Sequence, residues 1–93
     1  MLTSFGNKDT KKIWEGERVK GLSTKIQEMA RRKLRMLNNS QDLTDLQIPP
    51  SNRLEKLKGN YKEFYSIRIN NQWRIIFKWN NGNADLVEII DYH

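Results

Sequence analysis

The sequence predicts an α+β domain in which a small, mostly antiparallel sheet is backed by two N-terminal helices. Three runs rich in β-branched and aromatic residues lie in the C-terminal third, at residues 65–69, 73–79 and from 84 onwards. Clusters of Asn, Gln and Gly separate these runs, as is typical of sequential antiparallel strands. The N-terminal half instead shows helical spacing of its apolar residues, so its helices are expected to form the second layer.

The first twenty residues are predicted to hold an edge strand and a short helix. Residues 1–5 carry enough apolar side chains for a strand at the edge of the sheet. Residues 8–18 are predicted to form a helix that Asn7 or Asp9 caps. Its apolar content is limited to Ile13 and Trp14, so it should lie on the surface with these two side chains turned inward.

A longer helix is predicted over residues 23–38. Ser23 and Thr24 are candidates for the N-cap, and Thr24 with Gln27 matches a capping box. One buried stripe follows the helical spacing, formed by Ile26, Met29, Ala30, Leu34 and Leu37. The basic residues beside that stripe, Arg31, Arg32 and Arg35, form either a solvated helix face or a surface that follows an RNA backbone.

The connection between helices and sheet begins at Ser40. Residues 42–46 are predicted to form a helical turn, and the Pro49-Pro50 pair an extended crossing. Residues 53–58 alternate enough for a strand, which Gly59 and Asn60 end. The predicted order is β-α-α-β-β-β, in one domain that covers residues 1–93.

The composition limits the possible functions. The chain has no cysteine and one histidine, which excludes a thiolate or histidine-rich metal site, and we expect no metal and no cofactor. It has no apolar run near the ~20 residues of a membrane span and no secretion signal, so a soluble cytoplasmic protein without membrane contact is expected. The net charge of +6 favours a polyanion such as nucleic acid, although an acidic protein partner fits as well.

Alternation along the predicted strands sorts their side chains into two faces. One face of residues 73–79 is apolar and should pack against the helices; it consists of Trp73, Ile75, Phe77 and Trp79. The opposite face carries Arg74, Ile76 and Lys78, and Arg68 lies on the corresponding face of the preceding strand. This second face is either a phosphate-binding surface or an ordinary solvent-facing sheet.

The end of the chain carries groups that can cleave RNA without a metal. Such cleavage needs one group to take the proton from the 2′-OH, another to protonate the departing 5′-oxygen, and cations to stabilise the phosphorane charge. His93 can take either proton role, since its unperturbed pKa of ~6.5 lies near working pH. Asp91 can orient it or act as base, and Tyr92 can donate a hydrogen bond or stack on a base. The alternative is a plain surface tail.

Three segments carry a specific resemblance. Residues 52–59 read Asn-Arg-Leu-Glu-Lys-Leu-Lys-Gly, residues 65–77 read Tyr-Ser-Ile-Arg-Ile-Asn-Asn-Gln-Trp-Arg-Ile-Ile-Phe, and residues 87–93 read Val-Glu-Ile-Ile-Asp-Tyr-His. In this order and at this spacing they resemble the HigB toxins of the RelE/ParE superfamily. The resemblance extends through the long helix and covers nearly the whole chain.

The resemblance implies a RelE-like fold and a bacterial toxin of a type II toxin–antitoxin pair. It also implies ribosome-dependent endoribonuclease activity, in which the toxin cleaves mRNA in the decoding site without a metal and so stops translation. The implied partners are the ribosome with its mRNA and a HigA-like helix-turn-helix antitoxin. Only the antitoxin would contact operator DNA.

The resemblance also assigns roles to individual residues. Catalytic roles pass to Asp91, Tyr92, His93, Arg74 and Lys58. Arg68, Lys56 and Arg53 are predicted to bind the RNA. One branch of the family has a second catalytic histidine shortly before the motif glycine, where this chain has Glu55, either a substitute base or a surface carboxylate. Asn70 stands where the family has another arginine.

Two alternatives to the nuclease stay open. The first is a non-enzymatic inhibitor of DNA gyrase, as in the ParE branch. The second is a degenerate toxin that only binds its antitoxin. The Asp-Tyr-His ending favours the nuclease, because the ParE branch is not expected to end in these residues.

Overall fold

The computed structural model describes residues 1–91, in which two α-helices precede a four-stranded sheet. Helix α1 spans Lys8–Trp14 and helix α2 spans Thr24–Asn39. The strands are β1 (Glu55–Lys56), β2 (Phe64–Arg68), β3 (Trp73–Asn80) and β4 (Asn83–Asp91). They lie in the order β1-β2-β3-β4, and every neighbouring pair is antiparallel. The predicted α+β class, with two helices backing an antiparallel sheet, is confirmed.

The structure refines the predicted order at the N-terminal segment. Leu2 and Phe5 make isolated parallel bridges to Ala84 and Val87 of β4, so the segment lies at the predicted sheet edge without forming a continuous strand. Four strands follow the helices, where the predicted order had three.

Helix α1 is shorter than predicted. Its N-cap is Asn7, whose Oδ1 accepts from the backbone N–H of Thr10 at 2.8 Å. The helix ends at Trp14 rather than Arg18, because Gly16 follows with a φ of 88° that helical backbone does not adopt. The Nε of Arg31 donates to the Ile13 carbonyl at 2.8 Å, so one predicted surface cation of α2 instead holds the end of α1.

The N-cap of helix α2 is Ser23, one of the two predicted candidates, and the predicted Thr24–Gln27 capping box is not formed. The Ser23 hydroxyl accepts from the Ile26 N–H at 3.2 Å, which satisfies one free donor of the first turn. Gln27 is buried and bonds the preceding loop, since its amide contacts the backbone of Val19 and Leu22. The amide thereby fixes the loop that leads into the helix.

The core lies between the helices and one face of the sheet. Ala30, Leu34 and Leu37 of α2 are fully buried, as the predicted stripe requires, whereas Ile26 and Met29 are only partly buried. The sheet side of the same buried cluster consists of Ile67, Ile69, Ile75, Phe77, Ala84, Val87 and Ile89. Within residues 1–91, none of the helices is both long and apolar enough to cross a membrane.

The segment between α2 and β1 differs from its prediction. The predicted helical turn is present as a 3-10 helix, Leu43–Gln47. The predicted extended crossing is wrong beyond Pro49, because Pro50–Asn52 forms a second 3-10 turn. Arg53 follows in the left-handed conformation with a φ of 45°, which breaks the strand alternation and confines β1 to Glu55–Lys56 instead of residues 53–58.

Candidate functional site

The best-defined polar group on the sheet is the guanidinium of Arg74. This residue is 6 % exposed and projects from β3 on the face opposite the helices. Its Nε donates to the Ser66 hydroxyl of β2 at 2.9 Å, and its Nη2 donates to the Arg53 carbonyl at 2.6 Å. The positive charge is therefore fixed in position by neighbouring elements and is not a mobile surface cation.

Glu55 lies beside this guanidinium. β1 pairs Glu55 with Ser66, so both side chains lie on the face that carries Arg74. One carboxylate oxygen of Glu55 is 3.5 Å from Arg74 Nη2, and the Glu55 side chain is 47 % exposed. A carboxylate that solvent and substrate can reach thus stands next to a fixed cation.

A cavity of about 290 Å³ opens onto the same guanidinium. Three predicted site residues line it, Arg53, Arg68 and Arg74, together with Asn70 and Asn71. The Arg68 guanidinium donates to the side-chain oxygen of Asn71, which holds it at the cavity wall. This end of the sheet can receive a phosphate, because positive side chains surround an open space.

The two predicted site lysines, Lys56 and Lys58, lie at the end of β1 that is farther from Arg53. Lys56 and Lys58 line adjoining cavities of about 350 and 500 Å³ together with Leu57. Glu55 also lines the smaller of the two. The structure therefore arranges the predicted cations in two groups, arginines at one end of β2 and lysines at the other, with Glu55 between them.

Asp91 is not brought to this site. The register pairs Asp91 with Trp73 on the helix-facing side of the sheet, whereas Arg74 pairs with Ile90 on the opposite side. The Asp91 carboxylate accepts from Gln72 Nε2 at 3.1 Å. Tyr92 and His93 lie outside the described residues. Within residues 1–91, the His, Cys, Asp and Glu side chains form no group of three that could hold a metal ion.

Two residues that support the site were not anticipated from the sequence. Ser66 and Asn52 are both fully buried, and Asn52 immediately precedes the carbonyl that Arg74 contacts. The Asn52 side chain accepts from Lys33 Nζ at 2.5 Å and donates to the Leu46 carbonyl at 3.1 Å. Burial lowers the pKa of the Lys33 ammonium. The sequence signal for Ser66 is a small polar residue in a strand, diagonally across from the arginine of the next strand, since Ser66 pairs with Ile76 and Arg74 lies two residues before Ile76.

Residues 3–93 match the family described as HigB-like toxin, a RelE-like toxin of the type II toxin–antitoxin system HigB. The chain belongs to this family. It is 40 % identical over 85 residues to Toxin HigB-1 of Vibrio cholerae, with 90 % of each chain covered. It is 27 % identical over 93 residues to the Endoribonuclease HigB of Proteus vulgaris, with both chains fully covered.

The fold has a close solved counterpart. YafQ from E. coli superposes with a TM-score of 0.65 at 15 % sequence identity, covering 98 % of this chain and 91 % of YafQ. This likeness concerns the fold alone, and it agrees with the RelE-like architecture of the family. This HigB-like protein is thus a type II toxin whose candidate site lies on the sheet face away from the helices.

Proposed function

We propose that this HigB-like toxin is an endoribonuclease that cleaves mRNA on the ribosome and so stops translation. The observation that carries the proposal is the fixed Arg74 guanidinium, which lines a cation-walled cavity and has the Glu55 carboxylate 3.5 Å away. Family membership and the name of the Proteus vulgaris relative support the same activity.

The chemistry requires the 2′-oxygen to attack the adjacent phosphorus while the 5′-oxygen leaves. Glu55 is the candidate to take the 2′-OH proton, because its carboxylate is half exposed beside the cavity. Arg74 and Arg68 stabilise the additional negative charge on the phosphorane, and Arg74 does so without reorganising, because its hydrogen bonds already fix it. Lys58 is proposed as a further catalytic cation.

The terminal residues complete the proposed mechanism. His93 protonates the departing 5′-oxygen or takes the 2′-OH proton in place of Glu55, and Tyr92 donates a hydrogen bond or stacks on a base. Asp91 is proposed to act on His93, since the sheet register places its carboxylate on the side away from Arg74. Arg53 and Lys56 are proposed to bind the RNA backbone.

The proposed partners follow from this activity and from the family. The family implies an antitoxin, which we propose is a HigA-like helix-turn-helix protein that alone contacts operator DNA. The ribosome supplies positioned message, because the cleavage geometry needs the scissile phosphate held against the site. The proposed location is therefore the cytoplasm, and the proposed functional unit is one toxin domain over residues 1–93.

The test maps RNA 5′ ends after brief induction and compares the wild-type toxin with a variant that lacks residues 91–93. The wild type should produce cuts within codons of translated messages, and the purified protein should cut mRNA on programmed ribosomes while leaving free RNA nearly intact. The truncated variant should still bind antitoxin but lose cleavage by about two to four orders of magnitude. Gyrase poisoning without mRNA cuts would contradict the proposal.

A further inference from the structure

The ring of Tyr61 is an exposed aromatic surface that the proposed mechanism does not use. Tyr61 is 45 % exposed, which makes it one of the few large hydrophobic residues at the surface of residues 1–91. Its ring meets Phe64 edge-to-face, with centroids 5.6 Å apart and planes at 88°. Lys78 Nζ lies 5.5 Å from the Phe64 centroid, so the Phe64 ring that Tyr61 packs against is itself in contact with a cation. The Tyr61 ring is thus oriented and accessible at once.

Three lysines lie near this ring. Lys56 and Lys58 line a cavity of about 350 Å³ together with Tyr61, and the same two lysines line a second cavity of about 500 Å³ together with Lys62, which follows Tyr61 in the chain. Among residues 1–91, none of these ammonium groups has a carboxylate within 4.0 Å, since Glu55 pairs with Arg74 and Glu63 with Lys78. The lysine charges are therefore available to an external anion, while the nearby carboxylates are already paired.

The Tyr61 surface and the Arg74 cavity lie at opposite ends of strand β2. The Leu57 N–H donates to the Phe64 carbonyl at 2.9 Å, which places the Tyr61 surface at the Phe64 end of β2. Arg68 lies at the other end of β2, opposite Arg74. Four residue steps of an extended strand span roughly 13 Å. A chain of nucleotides can therefore contact both ends, with Glu55 between them.

We propose that Tyr61, Lys58 and Lys62 form a subsite for one unpaired nucleotide of the message near the cleaved phosphate. The base stacks on the Tyr61 ring, and the two ammonium groups contact the phosphates on either side of it. Aromatic rings flanked by cations are the usual means of holding single-stranded nucleic acid without reading its sequence. That the bound nucleotide belongs to mRNA rests on the proposed nuclease function. That a base stacks on the Tyr61 ring is independent of that function.

The test measures the coupling between one side chain and one base. A labelled 12-nucleotide RNA is titrated at low ionic strength by fluorescence anisotropy, intact and with a single abasic position moved along it. One abasic position should weaken binding of the wild type by about tenfold to a hundredfold. Tyr61→Leu, which keeps an apolar contact with Phe64, should weaken binding of intact RNA by the same factor and be insensitive to that abasic position. Tyr61→Phe should behave as the wild type.

Two control substitutions distinguish the subsite from general surface effects. Ile48→Ala removes an apolar side chain that is 74 % exposed and should leave binding unchanged. Lys62→Gln should lower the slope of log affinity against log salt by about 0.7, as the loss of one phosphate contact predicts, whereas Lys11→Gln on α1 should not. Circular dichroism checks that every variant is folded.

The possible outcomes separate this subsite from the nuclease. The subsite is overturned if Tyr61→Leu and the abasic position weaken RNA binding independently of each other, so that their effects multiply. It is also overturned if the wild type binds no RNA at low salt. Cleavage on programmed ribosomes is measured in parallel. If Tyr61 and the abasic position are coupled but no cleavage occurs, the subsite is supported and the nuclease function is contradicted. If cleavage occurs without this coupling, the nuclease function is supported and the subsite is contradicted.

Discussion

At the scale of single residues, Arg74 combines an observed structural role with the proposed catalytic one. Its guanidinium bridges a hydroxyl on β2 and a carbonyl at the start of the β1 segment, so one planar group joins two parts of the sheet. A lysine cannot reproduce this geometry, because a single ammonium lacks the rigid fork of donors. These hydrogen bonds satisfy the buried guanidinium, and a carboxylate oxygen of the half-exposed Glu55 lies 3.5 Å from its Nη2.

Replacing Arg74 with lysine should therefore lower both activity and stability. We expect ribosomal cleavage to fall by about 10² to 10³-fold, as when one preorganised donor is lost from a transition state. The free energy of unfolding should fall by about 1 to 3 kcal/mol, because buried acceptors lose their partner. Single-turnover cleavage and urea denaturation measure the two effects. Arg32→Lys on the exposed face of α2 is the matched control, and a full cleavage rate for Arg74→Lys would contradict the assignment.

The proposed role of Glu55 as proton acceptor is tested by an isosteric change. Glu55→Gln keeps the size of the side chain but cannot take a proton, so cleavage should fall by about 10² to 10⁴-fold. Stability should change by no more than about 1 kcal/mol, since the side chain is half exposed. Glu63→Gln, which disrupts an ion pair with Lys78 in which both side chains are exposed, should leave cleavage intact. If both variants cleave at the parental rate, Glu55 is a surface carboxylate.

At the scale of elements, the short 3-10 turn Pro50–Asn52 links the long helix to the site. Asn52 is fully buried and bonds Lys33 of α2 as well as backbone carbonyls of the connector. The next residue, Arg53, presents its carbonyl to Arg74. The position of the Arg74 guanidinium therefore depends on how α2 holds this turn.

Asn52→Ala should loosen that connection. The substitution leaves the Lys33 ammonium and buried carbonyls without their partner, which should lower the free energy of unfolding by at least about 1 to 3 kcal/mol. Cleavage by the folded fraction should fall too, because the Arg53 carbonyl is no longer fixed. Chemical denaturation and single-turnover cleavage test this, with exposed Asn60→Ala as the control. A variant as stable as the wild type would show that water replaces the lost contacts.

The 3-10 helix Leu43–Gln47 carries a pH-dependent cap. Hydrogen bonds from the N–H groups of Asp42 and Gln41 lower the pKa of the Asp45 carboxyl below its ordinary value of 3.8. Because the folded pKa is the lower one, this carboxylate stabilises the fold above about pH 4, and the effect is lost as the pH falls through the folded pKa. Asp45→Asn should therefore lower the melting temperature at pH 7, and the difference from the wild type should shrink as the pH is lowered below about 4.

Elements with strong periodicity were predictable from the sequence, and positions set by tertiary contacts were not. The stripe of α2 and the alternation of β3 indicated which side chains face the core, because each repeats the period of its element. Alternation did not indicate that Ile76, on the opposite face of β3, is fully buried as well. Helix α1 and strand β1 were predicted too long, since local composition did not reveal where Gly16 and Arg53 turn the backbone. The basic sheet face was predicted, but Arg74 proved buried because Ser66 and the Arg53 carbonyl enclose it, a contact no local pattern encodes.

At the scale of the whole molecule, the N-terminal segment closes the sheet along β4. Backbone bonds join Thr3 to Ala84 at 2.9 Å and Gly6 to Val87 at 2.8 Å, between residues about eighty positions apart. Leu2 and Phe5 pack against the core cluster from this edge. The segment therefore covers a strand edge that could otherwise pair with another chain.

A double substitution, Leu2→Ala with Phe5→Ala, tests whether this closure matters for the whole fold. Both side chains are only partly buried, so their loss should lower the free energy of unfolding by about 2 to 4 kcal/mol, less than two fully buried residues would. Weaker anchoring should also uncover the β4 edge, and the variant should associate at high concentration. Chemical denaturation and analytical ultracentrifugation measure these effects, and Ile48→Ala is the exposed apolar control. A variant that loses stability but stays monomeric would show that the backbone bonds alone protect this edge.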